Sequence, residues 1–148
     1  MIFIAEVFSH LVKDWNCRPL SEKDFNKICK KLGILVIEDG SDDMKRKGLY
    51  TEDEGVPIIF IRPELTGLER LWVLFHELGH HLLHAPATCF FSEGTQHKAE
   101  HEASVFASIA LIPEQYVRQL YLWDLYEVDE FAAKLFDIRL EVYEAYGV

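Results

Sequence analysis

The sequence predicts an α+β protein: a small three-stranded sheet packed on one long apolar helix, with a helical C-terminal portion. Three observations carry this reading. Short β-prone segments lie at residues 34–37, 48–51 and 56–61. A strongly apolar helix pattern follows them directly, from about residue 66. Beyond residue 97 the apolar residues keep helical spacing, interrupted by Pro113.

Taken in order, residues 2–15 carry apolar side chains at positions 4, 7, 8, 11, 12 and 15, a helical period that Cys17-Arg18-Pro19 breaks. Ser21 and Asp24 mark a helix start, Phe25, Ile28 and Leu32 give it one apolar face, and Gly33 suits its stop. Ile34-Leu35-Val36-Ile37 reads as a strand, residues 39–47 as a polar loop, and Gly48-Leu49-Tyr50-Thr51 as a second strand. Asp53-Glu54-Gly55 is a turn before the strongest strand, 56–61. Pro57 lacks a backbone donor, which points to an edge strand or a strand start. Thr66 and Glu69 form a capping-box pattern. They open the helix of Leu68, Leu71, Trp72, Phe75, Leu78 and Leu82, which ends near His84-Ala85-Pro86. A loop at 86–96, a helix from about 97 to 111, and a further helix with Pro113 in its first turn complete the chain.

The 148 residues fit a single domain, with 114–148 a helical C-terminal element. Hydrophobic residues at 49% exclude a disordered chain. No apolar run is long enough for a membrane span, and the N-terminus lacks the basic and small-residue pattern of a signal peptide. Twenty-five acidic residues against fifteen basic ones, a net charge of -10, argue against nucleic acid as a direct partner. Lys45-Arg46-Lys47 reads as a solvated loop. The three cysteines, Cys17, Cys29 and Cys89, are odd in number and form no C-x-x-C pair. A disulfide framework is therefore not expected, and a cytoplasmic location is. Cys89 falls in the 86–96 loop, where a thiol near a metal is one reading and ordinary packing the other.

Six of the seven histidines lie between residues 76 and 101. His76-Glu77-Leu78-Gly79-His80 is an H-E-x-x-H arrangement. Positions i and i+4 share one helix face, so both imidazoles can reach one metal, and Glu77 stands beside them as a general base. Chance alone would place the pattern in roughly 3% of shuffled chains of this composition, so its position inside a helix weighs in favour of a real site. A catalytic zinc takes a third protein ligand. His81, His84, His97, Glu100, His101 and Glu102 are the candidates. His81 points elsewhere on the helix, and His84 lies roughly 12 Å along the axis from His76, too far for a compact site.

His76-Glu77-Leu78-Gly79-His80-His81-Leu82-Leu83-His84, followed by Glu100-His101-Glu102-Ala103-Ser104-Val105-Phe106-Ala107 and an apolar run to Pro113, resembles the ImmA/IrrE family of zinc metallopeptidases. The resemblance covers about residues 20–115. It implies a zincin-like fold, bound Zn2+, and a third ligand at the Glu directly before Ala, which is Glu102. The ligand set it implies is thus His76, His80 and Glu102, with Glu77 as the base for a zinc-held water. Glu100 is then a residue able to receive an N–H from a ligand histidine, or simply solvated. Ser104 stands where the family more often has Asn or Asp, which leaves open a hydrogen bond from that position. His84, His101, Tyr116 and Tyr50 are candidates for stabilising an oxyanion.

The resemblance also implies a substrate class: helix-turn-helix repressors of mobile genetic elements or stress genes, cleaved or inactivated by the enzyme. Residues 56–61 could receive an extended substrate by strand addition. Residues 131–143 have the spacing of a helix-turn-helix, but acidic residues outnumber Lys134 and Arg139 there, so the tail reads as a packing or repressor-docking element. The alternatives are a non-proteolytic, metal-containing anti-repressor and, disfavoured by charge, a DNA-binding protein. An intact Glu77 favours the protease.

Overall fold

The computed structural model describes residues 8–10, 12–84, 93–122 and 128–148. Cys89 and most of the 86–96 loop lie outside them. The chain divides into two compact units, one of residues 22–107 and one of residues 1–21 with 108–148.

In the first unit, helix α1 (Glu22–Leu32) buries Phe25 and Cys29 and ends on Gly33, whose φ of 71° is the left-handed turn expected of a helix stop. Strands β1 (Leu35–Glu38), β2 (Gly48–Asp53) and β3 (Val56–Ile61) form one sheet in the order β1-β3-β2. β2 and β3 are an antiparallel hairpin closed by Asp53 and Val56. Its two-residue turn, Glu54-Gly55, has φ of 50° and 80°, the double positive φ of a type I′ turn that matches strand twist. β1 runs parallel to β3, from Leu35 opposite Ile58 to Glu38 opposite Ile61.

Val56–Ile61 is therefore the central strand, not an edge, and the expectation that it receives a substrate strand is overturned. Pro57 is accommodated because it sits at the strand start. β1 pairing begins only at Ile58, so no β1 residue opposes the proline. Along the sheet, alternate residues Gly48, Tyr50, Ile59 and Ile61 are buried. This face meets the long helix α2 (Gly67–His84).

α2 is tied at its first turns by charge. Glu69 pairs with Lys47 Nζ at 2.9 Å, and Arg70 holds Glu22 of α1 and Glu38 of β1. Its apolar residues Leu74, Phe75 and Leu78 are buried, and Phe75 packs its ring against Phe25 (5.6 Å) and Phe106 (6.4 Å). Helix α3 (Glu93–Leu111) begins four residues before the position its apolar spacing suggested. Its last turn is counted with the second unit.

The second unit buries Phe8, Val12 and Trp15, with Phe8 and Trp15 rings 5.3 Å apart. Leu20 N donates to Ala110 O at 2.9 Å, and Glu114 N donates to Asn16 Oδ1 at 2.7 Å. Pro113 opens a 3-10 turn (Glu114–Tyr116) that leads into α4 (Val117–Leu120). Helix α5 (Glu130–Tyr146) is capped by the Asp129 carboxylate accepting from Ala132 N, and stops at Gly147 with φ 71°. Residues 131–143 thus lie in one unbroken helix, without the turn that their spacing suggested. No helix of the described residues is long and apolar enough to cross a membrane.

Candidate metal centre

The site is built on facing turns of α2 and α3. Gly79 is what lets the two helices meet. A Cβ there would stand 3.2 Å from Ala103 Cα and 3.1 Å from the Phe106 ring, closer than neighbours normally approach. Backbone contact of this kind brings the α2 face of His76 and His80 against α3.

His76 Nε2 lies 2.9 Å from Glu100 Oε2, and His80 Nε2 lies 3.1 Å from Glu100 Oε1. One carboxylate thus spans both imidazoles, whose ring centres are 4.9 Å apart and nearly perpendicular. The ligand-type atoms of His76, His80 and Glu100 all fall within 4.8 Å of one another, and no other such group occurs among the described residues. The two histidines hold the Glu100 carboxyl well below the usual carboxylate range. It is ionised, as a ligand must be.

The carboxylate brought to the histidines is that of Glu100, not Glu102. Residues two apart on a helix point about 200° apart, so both cannot face the same spot. Glu102, the third ligand that the resemblance implied, is outside the group. Ser104 lies one turn beyond Glu100 on the same face of α3. Ser104 Oγ lies 3.4 Å from His76 Nδ1, a contact the departure from Asn or Asp had left in question. Trp72 flanks His76, with ring centres 6.0 Å apart.

Glu77 is 9% exposed. Burial pushes its carboxyl pKa up, against the opposing pull of His76 and His80. Gly48 makes room for it: a Cβ at that position would stand 3.2 Å from Glu77 Cγ and 2.4 Å from Val73 Cγ1. The β2 backbone therefore runs directly against the general-base candidate.

The other candidates are accounted for individually. Tyr50 OH is 2.8 Å from His81 Nδ1 and 3.3 Å from Glu52 Oε1, tying β2 to α2. Burial lowers the pKa of His81 and raises that of Tyr50. His97 and His101 are exposed on α3, and the His84 side chain lies outside the described residues. Tyr116 belongs to the second unit.

Two imidazoles and a carboxylate, with one ring nitrogen of each imidazole beside the same carboxylate, fit a divalent zinc-type ion by their donor chemistry. A buried carboxylate with a raised pKa beside them fits a proton carrier. No curated protein and no solved structure matches the chain. The sequence model of the IrrE N-terminal-like domain (Peptidase_M78), a family of metal-dependent peptidase type, matches residues 29–145, and the chain belongs to that family.

Proposed function

We propose that this protein is a zinc-dependent endopeptidase that cleaves, and so inactivates, a helix-turn-helix transcriptional repressor. One observation carries the peptidase reading: a desolvated carboxylate, Glu77, adjoins a His76–His80–Glu100 donor group. A site serving only structure has no use for a buried base.

His76, His80 and Glu100 would hold the ion. Zinc, when bound, polarises a carbonyl and makes water a nucleophile near neutral pH. Glu77 takes the proton of the attacking water on its carboxylate oxygen and returns it to the leaving amine nitrogen. Its raised pKa suits both halves of that transfer, because the proton must be accepted and then released. The outer edge of β2 is the place for an extended substrate. Among the described residues β2 pairs with β3 on one side only, and its backbone adjoins Glu77.

The family resemblance and the charge support the choice of a repressor. A net charge of -10 suits a partner with a basic DNA-binding face, and such an encounter weakens with salt. The test is incubation with the helix-turn-helix protein encoded beside the gene. Cleavage that is lost with chelator and with Glu77→Gln supports the proposal. Tight association without any cleavage would instead make the chain an anti-repressor, and intact repressor with no association would remove this substrate.

A further inference from the structure

We propose that His97 and His101 form a second metal site, separate from the centre of His76, His80 and Glu100, which takes a zinc-type ion more weakly at the protein surface.

The two histidines are four residues apart on α3, and both are exposed. At 3.6 residues per turn they stand about 40° apart around the helix and one turn apart along it. Their Cβ atoms are then about 5–6 Å from each other, close enough for two imidazoles to share one ion. His76 and His80 have the same spacing on α2.

Position around the helix separates this pair from the metal centre. Measured from Glu100, His97 lies about 60° and His101 about 100° round α3, to one side. Ala103 and Ala99, both buried, lie about 60° and 100° to the other side. Glu100 thus stands at the border of the two faces. It reaches inward to His76 and His80, whereas His97 and His101 turn to solvent and are outside that group.

The donor set names the ion. Two imidazoles without a carboxylate suit borderline ions such as Zn2+, Ni2+ or Cu2+, and not Mg2+ or Ca2+. With two protein ligands in place of three, the pair binds more weakly than the centre. Its surroundings favour a cation: Lys98 is the only Lys or Arg of α3, against Glu93, Glu100 and Glu102, and the chain carries a net charge of -10.

The test uses the full chain without a purification tag, titrated with zinc alone at pH 7.5. Proton–nitrogen spectra of the histidine rings and the zinc stoichiometry are the readouts. The first equivalent should move the His76 and His80 signals, and the second should move those of His97 and His101 together. His101→Ala should weaken the second site about tenfold or more and carry the His97 shift to higher zinc, because two ligands on one helix no longer share the ion. His97→Ala should do the same to His101. Both variants should take up the first equivalent as wild type does, and magnesium should move neither ring of the pair. Excess zinc that leaves the His97 and His101 signals in place overturns the proposal, as does a His97 shift that is unchanged in His101→Ala. If zinc instead moves His97 and His101 but never His76 and His80, the metal-centre reading falls and the surface pair stands.

Discussion

Glu77 and Arg139 are both buried ionisable side chains on long helices, one in each compact unit, and their surroundings differ in kind. Burial moves each toward its neutral form: Glu77 upward, Arg139 down to about 10. Arg139 is fully enclosed and gives Nε to Ile112 O and Nη1 to Val148 O. Both hydrogen-bond acceptors are main-chain oxygens, and the charge of Glu114 draws the guanidinium back toward its charged form. Glu77 is flanked by two imidazoles and by a strand backbone brought close by Gly48. Arg139 is held by the main chain of its own unit, with Nη2 left without a hydrogen-bond partner, whereas Glu77 is set beside imidazoles, the side chains that metals and protons share.

The largest expected effect falls on the chemical side of this contrast. Glu77→Gln should lower repressor cleavage by about 10²–10⁴-fold while leaving zinc content intact, since the amide keeps the shape but cannot accept a proton. Cleavage assays and metal analysis on the same preparation check this. Arg139→Ala should do the opposite. It removes a fully buried side chain and leaves two carbonyls unsatisfied, costing about 3 kcal/mol of unfolding free energy by denaturant titration. The folded fraction should bind zinc as wild type does. A loss of zinc affinity in that fraction would break the contrast.

Gly79→Ala sharpens it. The added methyl must push against the Ala103 backbone and Phe106, costing about 1–3 kcal/mol, and it should also weaken zinc binding because it separates the helices that carry His76, His80 and Glu100. The smallest effect is one of sign, in metal-free protein. The folded pKa of Glu77 is raised, so its protonated form is favoured by folding. That contribution is complete below the unfolded carboxyl value and is lost as pH rises through the folded one. Glu77→Gln, which has no charge to bury, should therefore gain stability relative to wild type as pH rises from 4 to 8. A difference that does not change with pH would deny the burial cost.

Much of this was legible from residue spacing. The hairpin turn at Glu54-Gly55, the stop at Gly33 and the histidine pair each follow from local rules, in which a few neighbouring residues determine the geometry. Strand order does not. Pro57 could mark an edge or a strand start, and only the pairing of β1 with β3 decides between them. The third ligand was ambiguous for a similar reason. Glu100 and Glu102 sit on either side of the buried stripe of Ala99, Ala103 and Phe106. Which one meets the histidines depends on how α3 is turned against α2, and Gly79 against Ala103 settles that turn. It is a contact between helices and leaves no trace in the spacing of either.

The most direct measurement is the zinc dissociation constant of Glu100→Gln beside that of Glu102→Gln. Glu100→Gln should lose about 100-fold or more in affinity, the loss expected when a direct ligand goes, against the 10–100-fold typical of a supporting residue. Glu102→Gln should match wild type. Undiminished binding in Glu100→Gln together with a large loss in Glu102→Gln would contradict the account, because the carboxylate that spans His76 and His80 would then not be the one that holds the metal.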